Sequence, residues 1–306
     1  ENALKPLKKR GLTAVVATEL EFYLLDGKSA EPKIGAPLIP GTERPQPGTQ
    51  VYNPDDLFEV EGFMDDVYAW CEAQNVPAEA AISEYSAGQF EINLNHQDAM
   101  RCADDTWLFK ALTRGLARRH GFAATFMSKP YADDAGNGLH VHFWVLGQTG
   151  RNVFDNNGPE GTEVLRSAVA GCVAAMPGST LIFAPHGNSY TRLIPGAHAP
   201  TGACWAYENR TAAIRIPGGA PAARRIEHRV QRHGQFHDTQ PRAQMPTGLR
   251  HRADGFRAHF VGQLCQLRIA QPFHVGRCDH LVQKRRDGTF GHRSFLRRQN
   301  SREITK

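Results

Sequence analysis

Carboxylates and histidines are paired at the spacing of a strand face in two separate segments. Glu19 and Glu21 are separated by one apolar residue, and so are His140 and His142. Because successive side chains of a strand point to opposite faces, each pair is predicted to share one face and to leave an apolar face for a core. Neighbouring carboxylates repel each other unless a cation lies between them. The pairs therefore favour a metal site, with a solvated sheet face as the alternative.

Arginines dominate the segment 188–230, which contains only two acidic residues, Glu208 and Glu227. Near its end, Arg225, Glu227 and Arg229 alternate with other residues, so they are predicted to share a strand face. The planar guanidinium fork suits phosphate and carboxylate groups. The segment therefore indicates an anionic ligand. Its arginines are Arg192, Arg210, Arg215, Arg224, Arg225 and Arg229.

The strand-like segments offer a possible metal-binding set of five carboxylates and one imidazole. Oxygen-dominated ligation favours Mg²⁺ or Mn²⁺ over Zn²⁺, which prefers cysteine and histidine. Two divalent cations would balance the carboxylates and leave the arginines free for phosphate, which is the charge inventory of phosphoryl transfer. The candidate ligands are Glu19, Glu21, Glu84, Glu91, His140 and Glu227.

Hydrophobic spacing predicts the strands that carry these residues. Alternation indicates strands over Thr13–Asp26 and Leu139–Leu146. A strand pair that turns at Ala87-Gly88 is predicted to bring Glu84 beside Glu91. The acidic residues are thus expected to come from strands that lie far apart in the sequence.

Apolar residues at helical spacing predict three core-facing helices between these strands. They span Glu61–Asn75, Ala99–His120 and Glu163–Met176. The second helix is predicted to bury a stripe that includes Trp107 and Leu116.

The composition is that of a soluble globular protein, with 41% hydrophobic and 22% charged residues in a chain of 306. We find no signal peptide and no apolar run that suggests a membrane span, so a membrane partner is not expected. The six cysteines form no CxxC pair and are interpreted as free thiols of a reducing compartment. A cytoplasmic location is therefore expected.

The positive charge is concentrated in the C-terminal part of the chain. Residues 231–306 contain 13 Arg and 2 Lys against 4 Asp and 1 Glu, which leaves residues 1–230 with a net charge of −5. The tail lacks clean amphipathic periodicity, so residues 231–306 are predicted to be an atypical basic tail that packs poorly and has a frame-shifted appearance. A nucleic-acid-binding module is the alternative from another class. The acidic body and the lack of a stacking pattern argue against nucleic acid as a partner.

Several short motifs of residues 1–230 resemble the catalytic domain of the glutamine synthetase family. The resemblance covers roughly three quarters of the chain and is specific because the motifs keep their order and spacing. It implies an α+β fold with a curved, mainly antiparallel sheet flanked by helices. The motifs are Glu19-Leu20-Glu21-Phe22, Glu84 with Gly88-Gln89-Phe90-Glu91, Ala124 to Pro130, Gly138-Leu139-His140-Val141-His142, Asn188 to Arg192, Asn209-Arg210, and Arg224-Arg225-Ile226-Glu227.

The resemblance also implies roles for individual residues and a reaction. One metal would be held by Glu21, Glu84 and Glu91, and the other by Glu19, His140 and Glu227. Arg192 and Gly136 would bind glutamate, Arg210 and Arg215 would stabilise the transferring phosphate, and Arg225, Lys129 and His142 would lie at the ATP site. The implied enzyme is an ATP-dependent ligase that activates the γ-carboxylate of glutamate as a γ-glutamyl phosphate for attack by ammonia or an amine. Members of the family form ring-shaped homo-oligomers.

Three departures from the ammonia-using pattern bear on the acceptor. The flap carries Ala197-His198 where a carboxylate is expected, Ala135 replaces a loop asparagine, and Trp144 replaces a hydroxyl residue. The first two favour the branch that resembles γ-glutamylpolyamine synthetases, as does Glu227-His228-Arg229-Val230. The family's small N-terminal β-grasp domain has no counterpart here, so a truncated chain is expected. Glutamate–ammonia ligase and a catalytically inactive chain of the same fold stay open as alternatives.

Overall fold

One open sheet of eight strands organises the part of the chain that the computed structural model describes, which is residues 1–28, 38–46, 51–194 and 199–229. The strand order is β2-β3-β1-β5-β8-β7-β6, and β4 pairs with the end of β1. All neighbours are antiparallel except β6 and β7. This arrangement confirms the predicted α+β class and its mainly antiparallel sheet. The strands are β1 Thr13–Asp26, β2 Ala78–Ser83, β3 Gln89–Asp98, β4 Phe122–Thr125, β5 Leu139–Leu146, β6 Trp205–Tyr207, β7 Ile214–Ile216 and β8 Ile226–His228.

The central strand β1 brings acidic residues of different segments into register. Glu21 lies opposite Glu91 of β3, and Glu19 lies opposite both Asn93 of β3 and His140 of β5. β8 then adds Glu227 next to β5. Because alternate residues share a face, one face of the sheet collects the charged side chains and the other is left for the core.

Helices cover the apolar face of β1. Leu20 and Phe22 are buried in a cluster with Phe63 of α3 and Phe109 of α4. Leu116 joins this cluster as predicted, but Trp107 of α4 is 67% exposed, so its predicted burial is wrong. The helices are α1 Lys5–Lys8, α2 Pro54–Phe58, α3 Glu61–Ala73, α4 Ala99–Arg119, α5 Glu163–Phe183 and α6 Gly187–Arg192.

Helix α5 is longer than the sequence predicts, because it continues beyond Met176 and through Pro177. It begins at the Thr162 cap, whose side chain accepts a hydrogen bond from the Leu165 amide. Among the described helices it alone is long and apolar enough to span a membrane, by length and composition only, whereas the sequence predicted no such apolar run. Core helices have the same length and hydropathy. Leu165 and Val169 of α5 are buried in a second cluster, the main core cluster, which also contains Val16, Phe143 and Ile214.

Some sequence-based expectations fall outside the described residues, namely those for the tail 231–306 and for Ala197-His198. Of the described cysteines, Cys71, Cys102 and Cys172 are free thiols, as expected. Cys204 is disulfide-bonded, so the expectation of a free thiol is wrong for this residue.

Candidate functional site

Glu19 is the centre of the charged face, where it contacts two imidazoles. Its carboxylate lies 2.8 Å from Nδ1 of His140 and 2.7 Å from Nε2 of His142. Burial alone would raise the pKa of Glu19, but hydrogen bonds from the two histidines outweigh it and hold the pKa well below its usual range. The guanidinium of Arg225 donates to Nδ1 of His142 at 3.0 Å. Arg225, which directly precedes β8, therefore forms a continuous polar chain with His142 of β5 and Glu19 of β1.

Glu227 is fully buried and held between two arginines. Arg215 contacts one of its carboxylate oxygens through Nε, and Arg229 Nη1 lies 2.6 Å from the other. Nδ1 of His140 is 3.8 Å away. Burial acts to raise the pKa of Glu227, but the charges of Arg229 and Arg215 lower it below the ordinary value. Glu227 is thus an ionised carboxylate at the base of the site.

Glycines let Arg192 and Glu21 approach each other at the other side of the cluster. The Gly138 amide donates to Glu21 Oε2 at 2.6 Å. A Cβ at Gly138 would lie 2.8 Å from both Glu21 and the Arg192 guanidinium, and 3.0 Å from His140 Nε2. A Cβ at Gly136 would lie 2.4 Å from the Ser128 carbonyl oxygen and 2.6 Å from the Arg192 side chain. Side chains larger than glycine therefore fit at neither position without moving Arg192.

Two further carboxyls in the site hold their protons unusually strongly. Burial, together with the charges of Glu19, Glu21 and Glu84, raises the pKa of Glu91 to about 9. Burial and the charge of Glu21 raise the pKa of Glu84, which follows β2, to about 7. Crowded carboxylates of this kind lose their protons readily only when a cation is present.

The donor set fits a divalent cation. Burial lowers the pKa of His140, so its imidazole is neutral, which is the form that binds metals. Carboxylate oxygens with an imidazole suit Mg²⁺ or Mn²⁺. Among the described residues, two groups of three side chains could each hold a cation. Within each group the ligand atoms all lie within 4.8 Å of one another, and Glu19 belongs to both groups. They are Glu19, Glu91 and His140, and Glu19, His142 and Glu227.

These groups differ in composition from the two predicted ligand sets. Glu19 and His140 contact each other as the second predicted set requires, and Glu227 is close to His140. The charges of Glu21 and Glu84 raise the pKa of Glu91, so both lie near the cluster, but neither residue belongs to either group. The assignment of individual ligands to two metals stays a prediction.

We expect divalent cations to stabilise the protein more at pH 9 than at pH 6. Glu91 has a pKa of about 9 in the folded protein against 4.5 in a free chain. A raised carboxyl pKa stabilises the fold below pH 4.5, and this contribution is lost as the pH rises towards 9. A cation replaces the proton and offsets that loss. Melting temperatures with MgCl₂ and with EDTA, measured from pH 6 to 9, should diverge as the pH rises.

The Glu91→Gln variant is the control for this pH dependence, because its amide cannot titrate. Its cation-induced shift in melting temperature should vary less with pH than that of the wild type. An equal shift at pH 6 and pH 9 in the wild type would contradict the expectation.

Lys129, which was predicted to lie at the ATP site, does not share the contact between Arg225 and His142. Its ammonium donates to the backbone carbonyl of Asp134, and its backbone forms two hydrogen bonds with the Asn188 side chain, of 2.8 and 2.7 Å. None of its contacts in the described part of the chain reaches Arg225 or His142. Lys129 therefore supports the loop 131–138, and its nucleotide role stays a prediction.

Arg210 lies at the exposed rim of the site. Its Nη1 donates to the Tyr52 hydroxyl at 3.0 Å, and its charge acts on Glu227 and Glu19. No individual role was predicted for Tyr52 or Arg229, although Arg229 belongs to the arginine segment that was expected to bind an anion. The alternation of Arg225, Glu227 and Arg229 was the signal for Arg229, but no local pattern marks Tyr52.

A sheet face that joins clustered carboxylates to several guanidinium groups is typical of proteins that transfer phosphoryl groups with divalent cations. Residues 1–232 match the family described as glutamine synthetase, catalytic domain. The chain belongs to the glutamine synthetase family. It is 42% identical over 226 residues to gamma-glutamylputrescine synthetase PuuA of Escherichia coli K12, covering 73% of this chain and 48% of that protein.

The names of other relatives indicate different nitrogen donors. A glutamate–isopropylamine ligase of a Pseudomonas species is 31% identical, over 74% of this chain and 50% of the ligase. The glutamine synthetase of Halobacterium salinarum is 32% identical, over 75% of this chain and 49% of its own. The chain therefore spans about half the length of the curated relatives it matches.

Solved structures show the same fold. The ADP complex of GmaS superposes with a TM-score of 0.63 at 26% identity, covering 74% of this chain and 52% of that one. Plasmodium falciparum glutamine synthetase gives a TM-score of 0.64 at 22% identity, over 75% and 50% of the two chains.

Proposed function

We propose that this chain carries the catalytic site of an ATP-dependent ligase that joins the γ-carboxylate of glutamate to an amine. The observation that carries the proposal is the convergence of Glu19, Glu91, His140 and Glu227 on one sheet face, beside the guanidinium groups that pair with Glu227. Family membership makes ligase chemistry the expected use of that face. The named relatives act on glutamate with different nitrogen nucleophiles, as their names indicate.

Divalent cations bound by the acidic cluster would supply positive charge to the phosphoryl oxygens of ATP. The chain's own arginines add to this. Arg215 is fixed against Glu227, and Arg210 reaches the rim, so both are suited to stabilise charge on a transferring phosphate. Arg192, held next to Glu21 over Gly138, is suited to bind the α-carboxylate of glutamate, with Gly136 providing the space.

The reaction we propose has two balanced steps. A γ-carboxylate oxygen of glutamate forms a bond to the γ-phosphorus of ATP, and ADP leaves. The amine nitrogen then attacks the carbonyl carbon of the acyl phosphate, phosphate leaves, and the nitrogen loses a proton. Phosphorylation is needed because a free carboxylate is too weak an electrophile for amide formation in water.

An amine is favoured over ammonia as the acceptor. Ala135 stands in the loop 131–138 and contributes only backbone groups there, since its amide binds Ser86 and its carbonyl accepts from Tyr23. The similarity to the putrescine and isopropylamine ligases points the same way. We therefore propose an organic amine, with a polyamine as the first substrate class to test.

Release of phosphate from ATP is expected to require both glutamate and an amine. The measurement uses MgATP and glutamate with putrescine, isopropylamine, ammonium or no amine, and mass spectrometry identifies the product. We expect the putrescine rate to exceed the ammonium rate by at least about 10-fold, because one favourable set of contacts contributes about 1.4 kcal/mol or more.

The outcomes separate the alternatives. A higher rate with ammonium identifies a glutamine synthetase. Binding of Mg²⁺ and ADP without amine-dependent turnover identifies an inactive chain of the same fold and rejects the ligase proposal.

A further inference from the structure

An aromatic pair lies on the same face of β5 as the two site histidines and has no role in the chemistry proposed above. The ring centroids of Trp144 and His96 are 4.8 Å apart, with an angle of 56° between the planes. Trp144 is half-buried, with one side packed against the main core cluster, and His96 is exposed. His96 lies where β3 departs from regular pairing with β1. The pair therefore forms a partly exposed aromatic surface at the end of a charged face.

The groups along β5 change in a regular order towards Trp144. His140 pairs with Glu19 across the strands, and His142 accepts a hydrogen bond from Arg225. Alternate residues on one strand face are about 7 Å apart, so Trp144 follows His142 at that distance. Along β5 from His140 to Trp144, the neighbouring groups are first the Glu19 carboxylate, then the Arg225 guanidinium with the His142 imidazole, and then the Trp144 indole.

This order matches the chemistry of a nucleoside triphosphate. The phosphates carry the negative charge that bound cations and Arg225 neutralise, whereas the base is flat, uncharged and suited to stacking. A base reaches the indole when the phosphates lie at Glu19 and Arg225. The same order does not suit a glutamate or a small amine, since neither has a planar group to place on the ring.

We propose that Trp144 is the surface on which the nucleobase of ATP stacks, an inference that rests on the ATP-dependent function proposed above. Stacking uses the π-face that every base presents, so it is tolerant of the base. A hydroxyl residue would instead recognise the edge of one base through hydrogen bonds. The site therefore accepts guanine nucleotides nearly as well as adenine nucleotides, and binds the smaller pyrimidines more weakly.

The test is binding of nucleotide diphosphates to the full chain in Mg²⁺, measured by calorimetry and by quenching of tryptophan fluorescence. Trp144→Phe keeps an aromatic face, and Trp144→Leu keeps apolar volume without one. Trp107→Phe is the matched control, because Trp107 is exposed on α4, on the opposite side of the sheet. Melting temperatures check that every variant is folded.

The expected loss of ADP affinity is about 5- to 150-fold for Trp144→Leu, and less than about 5-fold for Trp144→Phe. The Trp107 variant should bind ADP like the wild type and keep the quenching. GDP should bind the wild type within about 5-fold of ADP, and CDP more weakly than either.

Equal ADP affinity in the wild type and Trp144→Leu, or tighter binding by the variant, overturns the inference and leaves the ligase proposal in place. Selection of ADP over GDP by more than about 50-fold overturns the tolerance for other purines. A wild-type chain that binds Mg²⁺ but no nucleotide overturns this inference and the proposed function together. If Trp144→Leu does not fold, the comparison of ADP, GDP and CDP on the wild type and on Trp144→Phe still decides the question.

Discussion

Replacement of Glu19 by glutamine is expected to weaken the binding of Mn²⁺ or Mg²⁺ by at least about 100-fold and to remove ligase turnover. Glu19 belongs to both groups of possible metal ligands and contacts both site histidines. A neutral amide removes one negative charge from each group. It also places an amino group near a histidine or a cation, where only acceptors are useful. No other side chain of the described residues is shared by both groups.

Calorimetric titration with Mn²⁺, on protein stripped of metal with EDTA, measures this loss directly. Glu72→Gln is the matched control, because Glu72 is exposed on α3, which packs on the other side of the sheet. The control should bind Mn²⁺ like the wild type. Wild-type affinity in the Glu19→Gln variant, with a wild-type circular dichroism spectrum, would show that the cation binds elsewhere.

Replacement of Glu227 by glutamine is expected to cost about 3–5 kcal/mol of folding free energy in the absence of metal. The carboxylate is fully buried and neutralises Arg215 and Arg229, so its loss leaves two guanidinium groups without their partner. In a folded unit of this size the melting temperature should fall by roughly 6–20 °C. Replacing Glu163 in the same way breaks its exposed ion pair with Arg166 and should lower the melting temperature far less.

A double variant separates the charge effect from packing. Adding Arg229→Gln to Glu227→Gln removes one of the unpaired guanidinium groups, so the double variant should be more stable than Glu227→Gln alone. Urea denaturation in EDTA gives the coupling energy from the four proteins of the cycle. A double variant whose loss equals the sum of the single losses would show that the two side chains do not interact.

Strand periodicity predicts much of the candidate site because it is a local property of the sequence. Glu19 and Glu21, and likewise His140 and His142, are predicted to share a face from their spacing alone, and the structure gives each pair one face. The order of the strands is not local. That β8 pairs with β5, so that Glu227 lies beside His142, depends on packing between distant segments.

Helix α4 shows where hydrophobicity misleads. Its buried side includes Asp105 and Thr113, which polarity alone assigns to the surface, while Trp107 is exposed. Both polar residues have partners: Asp105 pairs with Arg101 at 2.9 Å, and Thr113 donates to the Phe109 carbonyl. Satisfied polar groups can be buried at small cost, so polarity was a poor guide at Asp105 and Thr113, while the predicted apolar stripe was wrong at Trp107.

The position of β8 has a consequence for how the protein is made. β8 is the last of the described strands to leave the ribosome, yet it inserts between β5 and β7. Until it emerges, β5 keeps an unpaired edge, and such edges recruit other chains into aggregates. When the three residues of β8 pair with β5, they cover that edge and at the same time place Glu227 beside His142. Capture of a cation that depends on Glu227 would thus mark nascent chains whose sheet is complete.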